Sequence, residues 1–174
     1  MKYRLVGSEM CIRDRPIASK LFISSETEDT DLFLIARLFN EQQQEVTFQG
    51  ALDPKTPLAQ GWLRASHRRI DNHLSKPYRP YHTHDKVELL IPKKVYEVDI
   101  EIWPTSIVVP KGYRIGLTIR GQDYVNQSGG GSTLPNMNKF SGCGPFLHDD
   151  PIDRPNDIFG LSLIHISEPT RRYF

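Results

Sequence analysis

Long apolar runs are missing from this 174-residue chain. A membrane-spanning helix needs about 20 consecutive apolar residues, and the mean hydropathy of −0.46 fits the lack of one. Cysteine is scarce, with two residues, which is too few for a disulfide scaffold. Charge of one sign is lacking as well: 22 Lys and Arg stand against 21 Asp and Glu, a net +1. That balance removes the electrostatic case for a nucleic-acid partner or a membrane-surface partner. No long helical periodicity and no internal repeat is found. The nucleophile elbow G-x-S-x-G is absent, because Gly130-Gly131-Ser132 runs on into Thr133-Leu134. The same glycine-rich loop lacks the Gly-Lys-Ser/Thr ending of a phosphate cradle. What is plentiful is punctuation: 13 Pro and 12 Gly, many beside β-branched residues, announce short strands and turns.

The two ends share an unusual relation. Val6-Gly7-Ser8-Glu9-Met10-Cys11-Ile12-Arg13-Asp14-Arg15 can be encoded as GTG GGC TCG GAG ATG TGT ATA AGA GAC AG. The reverse complement of that string translates as Leu-Ser-Leu-Ile-His-Ile-Ser-Glu-Pro-Thr, the run from Leu161 to Thr170. Both ends therefore read as one DNA element in inverted orientation, and it resembles the transposase-type adapter of sequencing libraries. Residues 1–15 and 161–174 are expected to be artefact and are set aside from fold reasoning. Without Lys2, Arg4, Arg13, Arg15, Arg171 and Arg172 the 22 basic residues fall to 16. Without Glu9, Asp14 and Glu168 the 21 acidic ones fall to 18, so residues 16–160 carry −2. Cys143 then stands alone and no internal disulfide can form.

Within residues 16–160 the strand signal dominates. In Val95–Trp103, Tyr96, Val98, Ile100 and Ile102 share one parity while Glu97, Asp99 and Glu101 share the other. A helix would scatter those acids around its girth, so the stretch predicts a strand with one wet face. Tyr113–Arg120 repeats the pattern, with Ile115, Leu117 and Ile119 inward, after a Pro110-Lys111-Gly112 turn. Lys20–Ser24 and Glu45–Gln49 read as short strands. Asp31–Phe39 is apolar on both parities and reads as a central buried strand. Residues 62–66 fit a strand or a short turn. Gly50–Gln60 and Arg68–Pro92, rich in Pro, His and Asp, read as long loops. Such loops belong to compact domains when they pack on something or carry function. Strands at short spacing without helices predict an antiparallel β-sandwich.

Chemistry-bearing residues are few. Cys143, between Gly142 and Gly144, has no neighbour that would lower its pKa, so it reads as a small residue in a tight loop. His82 and His84 flank Thr83; if extended, both imidazoles share a face that suits zinc, with His73, Asp85 or His148 to complete the shell. Asp149, Asp150, Asp153 and Asp157 could meet calcium, but Pro151 and Pro155 break the spacing of a calcium loop. Neither pattern carries a metal expectation, and no cofactor is expected. Arg64, Arg68 and Arg69 form the one basic cluster, and nearby carboxylates make inter-domain ion pairs its expected use.

A resemblance runs collinearly along nearly all of residues 16–160. Lys20-Leu21-Phe22-Ile23-Ser24-Ser25-Glu26-Thr27-Glu28-Asp29-Thr30-Asp31 is similar to the start of the C-terminal domain in X-Pro dipeptidyl-peptidase and cocaine-esterase-like (CocE/NonD) hydrolases. So are Gln60-Gly61-Trp62-Leu63-Arg64-Ala65-Ser66-His67-Arg68 and Arg79-Pro80-Tyr81-His82-Thr83-His84. Val108–Ile115 and Gly144-Pro145-Phe146-Leu147-His148-Asp149-Asp150 extend the match. The resemblance implies a jelly-roll sandwich of galactose-binding-like fold, here incomplete at both ends. It also implies a parent serine hydrolase acting on esters, amides or X-Pro peptides, whose Ser-His-Asp triad lies in an α/β-hydrolase domain that this chain lacks. On that reading this chain buttresses the α/β-hydrolase and cap domains and is inactive alone. Trp62, Arg64, His67, Arg68, His82, His84 and His148 are the candidate domain-interface residues. The alternative is a stand-alone carbohydrate-binding module, with Trp62, Tyr78, Tyr81 and Trp103 as a sugar platform.

Overall fold

The computed structural model describes residues 17–50, 55–121, 123 and 124, together with the backbone of three short terminal strands. In chain order the strands are β1 (Tyr3–Val6), β2 (Cys11–Arg13), β3 (Ile17–Ser24), β4 (Asp31–Phe39), β5 (Glu45–Val46), β6 (Ala59–Arg64), β7 (Tyr96–Ile102), β8 (Ile107–Val109), β9 (Arg114–Arg120) and β10 (His165–Ile166). The single helical element among the described residues is a 3-10 turn at Ala65–His67. All pairings of named strands are antiparallel.

β4 lies at the centre of one sheet. From Phe33 to Phe39 it pairs with β9, while its other edge pairs first with β6 and then with β5. β3 and β7 pair over seven residues from Ile17↔Ile102 to Ile23↔Tyr96 and form the second sheet with β10. The core lies between the two sheets. Leu32, Leu34 and Ala36 of β4 and Leu63 of β6 meet Leu21 and Ile23 of β3 and Val98, Ile100 and Ile102 of β7. Ile115, Leu117 and Ile119 of β9 close the same core. The fold is thus an all-β sandwich.

The periodic strands behave as their patterns require. β7 buries alternate residues, and its acids face outward, where Lys20 of β3 bonds Glu97 and lies 3.6 Å from Asp99. β4 buries both faces: Leu34 is inside the sandwich, and Phe33 and Ile35 are buried on the opposite face. Its reading as a central strand holds to the residue. Other boundaries move. β3 begins at Ile17, earlier than the apolar run suggests, because β7 offers a matching edge down to Ile102. The expected strand Glu45–Gln49 shortens to Glu45–Val46, after which Phe48 makes one bridge to Thr56. Residues 62–66 hold both alternatives in turn, the end of a strand and then the 3-10 turn.

Two glycines mark where backbone geometry decides. At Pro110-Lys111-Gly112 the Tyr113 N–H donates to the Pro110 carbonyl at 3.2 Å, and Gly112 takes φ +85°. That is the positive φ required at the third position of a type II turn. Gly61 sits where the sheets approach: a Cβ there would lie 2.0 Å from the Glu101 carbonyl oxygen. The contact is reinforced by the Trp103 N–H donating to the Gln60 carbonyl at 2.9 Å.

The segments set aside at the two ends supply three short edge strands. β1 lies on β9, β2 on β8, and β10 on the end of β3. An open edge accepts any extended backbone, since the bonds are made by main-chain groups.

Candidate functional site, the connection from Ala65 to Val95

Between β6 and β7 the chain makes a long excursion with little regular structure, and His67, His82, His84, Arg64, Arg68 and Arg69 lie on or beside it. Its origin is tightly anchored. Arg64 makes a bidentate pair with Asp31, the residue opposite it in the ladder, at 2.8 and 2.7 Å. The buried Asp29 carboxylate accepts from the N–H groups of Thr30 and Ser66, both at 2.9 Å. The Ala65 N–H donates to the Thr30 carbonyl. Two buried donors that the 3-10 turn would strand are thereby satisfied.

From Arg69 to Thr83 the chain folds back on itself. Ile70 bridges His82 and Lys76 bridges Arg79. Asp71 accepts from the N–H groups of His73 and Leu74, which holds its carboxyl below the usual carboxylate range. This lobe covers part of the outer face of β3 and β7. A cleft of about 320 Å³ lies between them, lined by Lys20, Ile70, Lys76, Pro80 and Asp99 among others. Burial raises the Asp99 carboxyl above its ordinary value despite the nearby Lys20 ammonium. The Lys20 ammonium is itself raised, chiefly by its hydrogen bond to Glu97.

The last part, residues 86–94, is pinned by backbone bonds and ends in a turn, where Lys93 takes φ +66° and the Lys94 N–H donates to the Ile91 carbonyl at 3.1 Å. The Glu88 N–H donates to the Ser66 carbonyl at 2.8 Å, the Leu90 N–H to Glu28, and the Lys93 N–H to Ser25 at 2.7 Å. Arg68 ties it from below: its guanidinium donates to the carbonyls of Ala65 and Glu88 and lies 4.6 Å from the Tyr96 ring centroid. Leu90 points in and joins the core. Val87, Leu89 and Ile91 consequently point out, each at least half exposed. Leu74, Tyr78, Tyr81 and Val95 are exposed on the same connection. Sequence reasoning missed this ridge by treating Arg68–Pro92 as aperiodic. The signal was present as Val87, Leu89 and Ile91 at spacing two.

The candidate interface residues are placed unequally. Trp62 is half-buried on the outer face of β6, its ring centroid 5.1 Å from that of exposed Trp103 at a tilt of 50°. The two rings do not make one flat surface. The arginines have carboxylate partners within the domain: Arg64 with Asp31, Arg68 with Glu88 at 3.4 Å and Arg69 with Asp85 at 3.2 Å. Asp31 of β4 reaches Arg64, and acids of the connection itself reach Arg68 and Arg69.

The three described histidines of the candidate set converge. His84 takes φ +51°, so Tyr81–Asp85 is not the extended run that would align His82 with His84. The turn instead swings the His84 ring to His67, with 3.3 Å between their Nδ1 atoms. His82 sits behind, its ring 5.9 Å from that of His84. One of its ring nitrogens donates to the Asp99 backbone carbonyl; Nε2 is buried without a partner, and burial lowers its pKa. Among the described residues no group of three or more His, Cys, Asp and Glu is placed to hold a metal ion. Ser132, Cys143, His148 and the acids Asp149–Asp157 lie outside the described residues.

Comparison with known proteins places this geometry. The model of the X-Pro dipeptidyl-peptidase C-terminal non-catalytic domain matches residues 16–143. Two crystal structures of a CocE/NonD family hydrolase from Staphylococcus aureus share the fold, with a TM-score of 0.73 and 24% identity over 80% of this chain. This chain spans 25% of the length of that hydrolase. No curated protein matches. The chain belongs to the family of X-Pro dipeptidyl-peptidase C-terminal non-catalytic domains.

Proposed function

We propose that this chain is the accessory C-terminal domain of a serine hydrolase, a jelly-roll sandwich that buttresses an α/β-hydrolase domain and its cap and helps wall the substrate cleft. The connection from Ala65 to Val95 is the face turned toward that catalytic part. One observation carries the reading: among the described residues, seven of the nine large exposed apolar side chains lie on this connection, namely Leu74, Tyr78, Tyr81, Val87, Leu89, Ile91 and Val95. A free-standing sandwich has no use for such a concentration, and exposed apolar surface beyond scattered single residues marks an interaction site. Backbone bonds to Ser25, Glu28 and Ser66 hold the outer strip in place, so its exposure is built in. The domain runs over residues 16–160, and residues 1–15 and 161–174 are foreign to it.

The substrates of the parent are esters, amides or X-Pro peptides, and its triad lies outside this chain. Sequencing the source DNA on both sides of this segment tests the proposal. The expected result is an upstream open frame carrying G-x-S-x-G, continuous with Pro16. A stop codon just upstream of Pro16 overturns it. Turnover of an ester or X-Pro substrate by the purified 174-residue chain also overturns it, because the chemistry would then reside here.

A further inference from the structure

We infer that His67 and His84 form an open two-imidazole site for a borderline divalent transition ion, of the zinc or copper(II) class. The argument starts from the facing atoms. Two Nδ1 atoms 3.3 Å apart must share something, since two bare lone pairs at that distance repel. One shared proton is one answer, since with complementary tautomers an N–H···N hydrogen bond spans this distance. A cation is the other. With metal–nitrogen bonds of about 2.0–2.1 Å, the edge of a tetrahedral shell is about 3.3–3.4 Å, and the pair already has that edge.

The pair is also preorganised. His67 closes the 3-10 turn, whose base is held by Asp29. His84 reaches it only by adopting φ +51°, a conformation that costs a non-glycine residue energy and that histidine accepts more readily than most. The turn is kept there from both sides. The Thr83 N–H donates to the Arg69 carbonyl at 3.1 Å, its hydroxyl bonds the Asp85 carboxylate, and Asp85 pairs with Arg69. A strained residue fixed by its surroundings is a reason to look for function. Asp85 offsets the charge of Arg69 beside the site. Neutral imidazole suits zinc and copper(II) better than calcium or magnesium. With two protein ligands the rest of the shell is water, so a structural zinc cage is not what is inferred. His82 is not a ligand in this arrangement.

The inference is independent of the proposed hydrolase partner and is tested on the chain alone. Zinc chloride is titrated calorimetrically into the 174-residue protein with both cysteines alkylated. One equivalent is expected to bind, and His67→Gln or His84→Asn is expected to weaken it by about tenfold or more, the energy of one lost ligand being at least about 1.4 kcal/mol. Asparagine tolerates positive φ, so the second variant keeps the turn. His73→Gln, at an exposed position outside the pair, is expected to bind as the parent does. Copper(II) bound to the unmutated protein gives a second reading that needs no variant: its paramagnetic resonance spectrum should show two imidazole nitrogens. Absence of zinc binding, binding by either variant as tight as that of the unmutated protein, or a copper spectrum without two nitrogens overturns the inference and leaves a hydrogen-bonded histidine pair.

Discussion

The paired sheets and the connection between β6 and β7 solve opposite problems with similar residues. In β3, β4 and β7 nearly every large aliphatic side chain is inside, and Leu21, Ile23, Leu32, Leu34 and Ile100 have no exposure at all. In the connection Val87, Leu89 and Ile91 are outside, although their backbone is held almost as firmly. The difference is in what holds each. The sheets are held by side-chain burial, and their ladders come with it. The connection is held by main-chain bonds to Ser25, Glu28 and Ser66, by Arg68, and by one inward side chain, Leu90. That economy leaves its remaining apolar side chains free for another surface. A segment can thus be ordered without being satisfied, and the unsatisfied part points to what the domain is for.

The hardest test of the sheets is Gly61→Val. The new Cβ would overlap the Glu101 carbonyl and the Ile102 backbone, which no side-chain rotation can relieve. A loss of about 3 kcal/mol or more in urea unfolding is expected. A near-neutral result would mean that the two sheets do not approach as described. Next in size is Leu90→Ala, with an expected loss of about 2–5 kcal/mol, the range for a buried leucine. Its neighbour divides the two regions at one peptide bond: Leu89→Ala should change stability by no more than about 0.5 kcal/mol. Equal losses for the pair would erase the distinction between anchored and presented residues.

Much of the sheet half was legible because a single physical rule governs it. The alternation of Tyr96, Val98, Ile100 and Ile102 with three acids admits one reading, and the two-sided apolar content of Asp31–Phe39 admits a central strand. Boundaries were less legible, since Ile17–Ser19 become strand through the edge that β7 presents and not through their own composition. The connection was read as functional from its length and its Pro and His content, but its residues were ranked by chemistry. Arginines drew attention and proved to bond locally, whereas Val87, Leu89 and Ile91 were passed over. Which of two alternating faces lies outward is settled by where Ser66 and Glu28 sit, a tertiary fact. The His67–His84 pair was hidden for a similar reason, because it depends on one residue taking positive φ.

The ridge itself supplies a prediction in which the two regions should separate by context. Val87→Ser, Leu89→Ser and Ile91→Ser combined should leave the thermal midpoint of this chain almost unchanged, since the lost groups are already wet. Introduced into the longer polypeptide of the proposed hydrolase, the same triple change should lower the midpoint by several degrees and expose the catalytic part to proteolysis. An equal, small effect in both proteins would mean that the ridge faces solvent there too.

The smallest expected effect concerns Asp99, where the two regions touch. The lobe from Ile70 to Pro80 lies over it, and burial raises its carboxyl above the ordinary value, with Lys20 opposing. The folded chain therefore holds this proton more tightly than the unfolded one. By linkage, Asp99 favours folding fully below its unfolded pKa of about 3.9. That contribution is lost as pH rises through the higher folded value, and above it the ionised group is a burden. Asp99→Asn removes the burden without removing the Lys20–Glu97 bond. The variant should be a few tenths of a kcal/mol more stable at neutral pH, because the site is only half-buried and solvent screens it. The advantage should vanish as the pH falls through the carboxylate range. If Asp99→Asn is instead destabilising at neutral pH and neutral in acid, the Lys20 pair outweighs burial, and the lobe does not shield β7 as its position suggests.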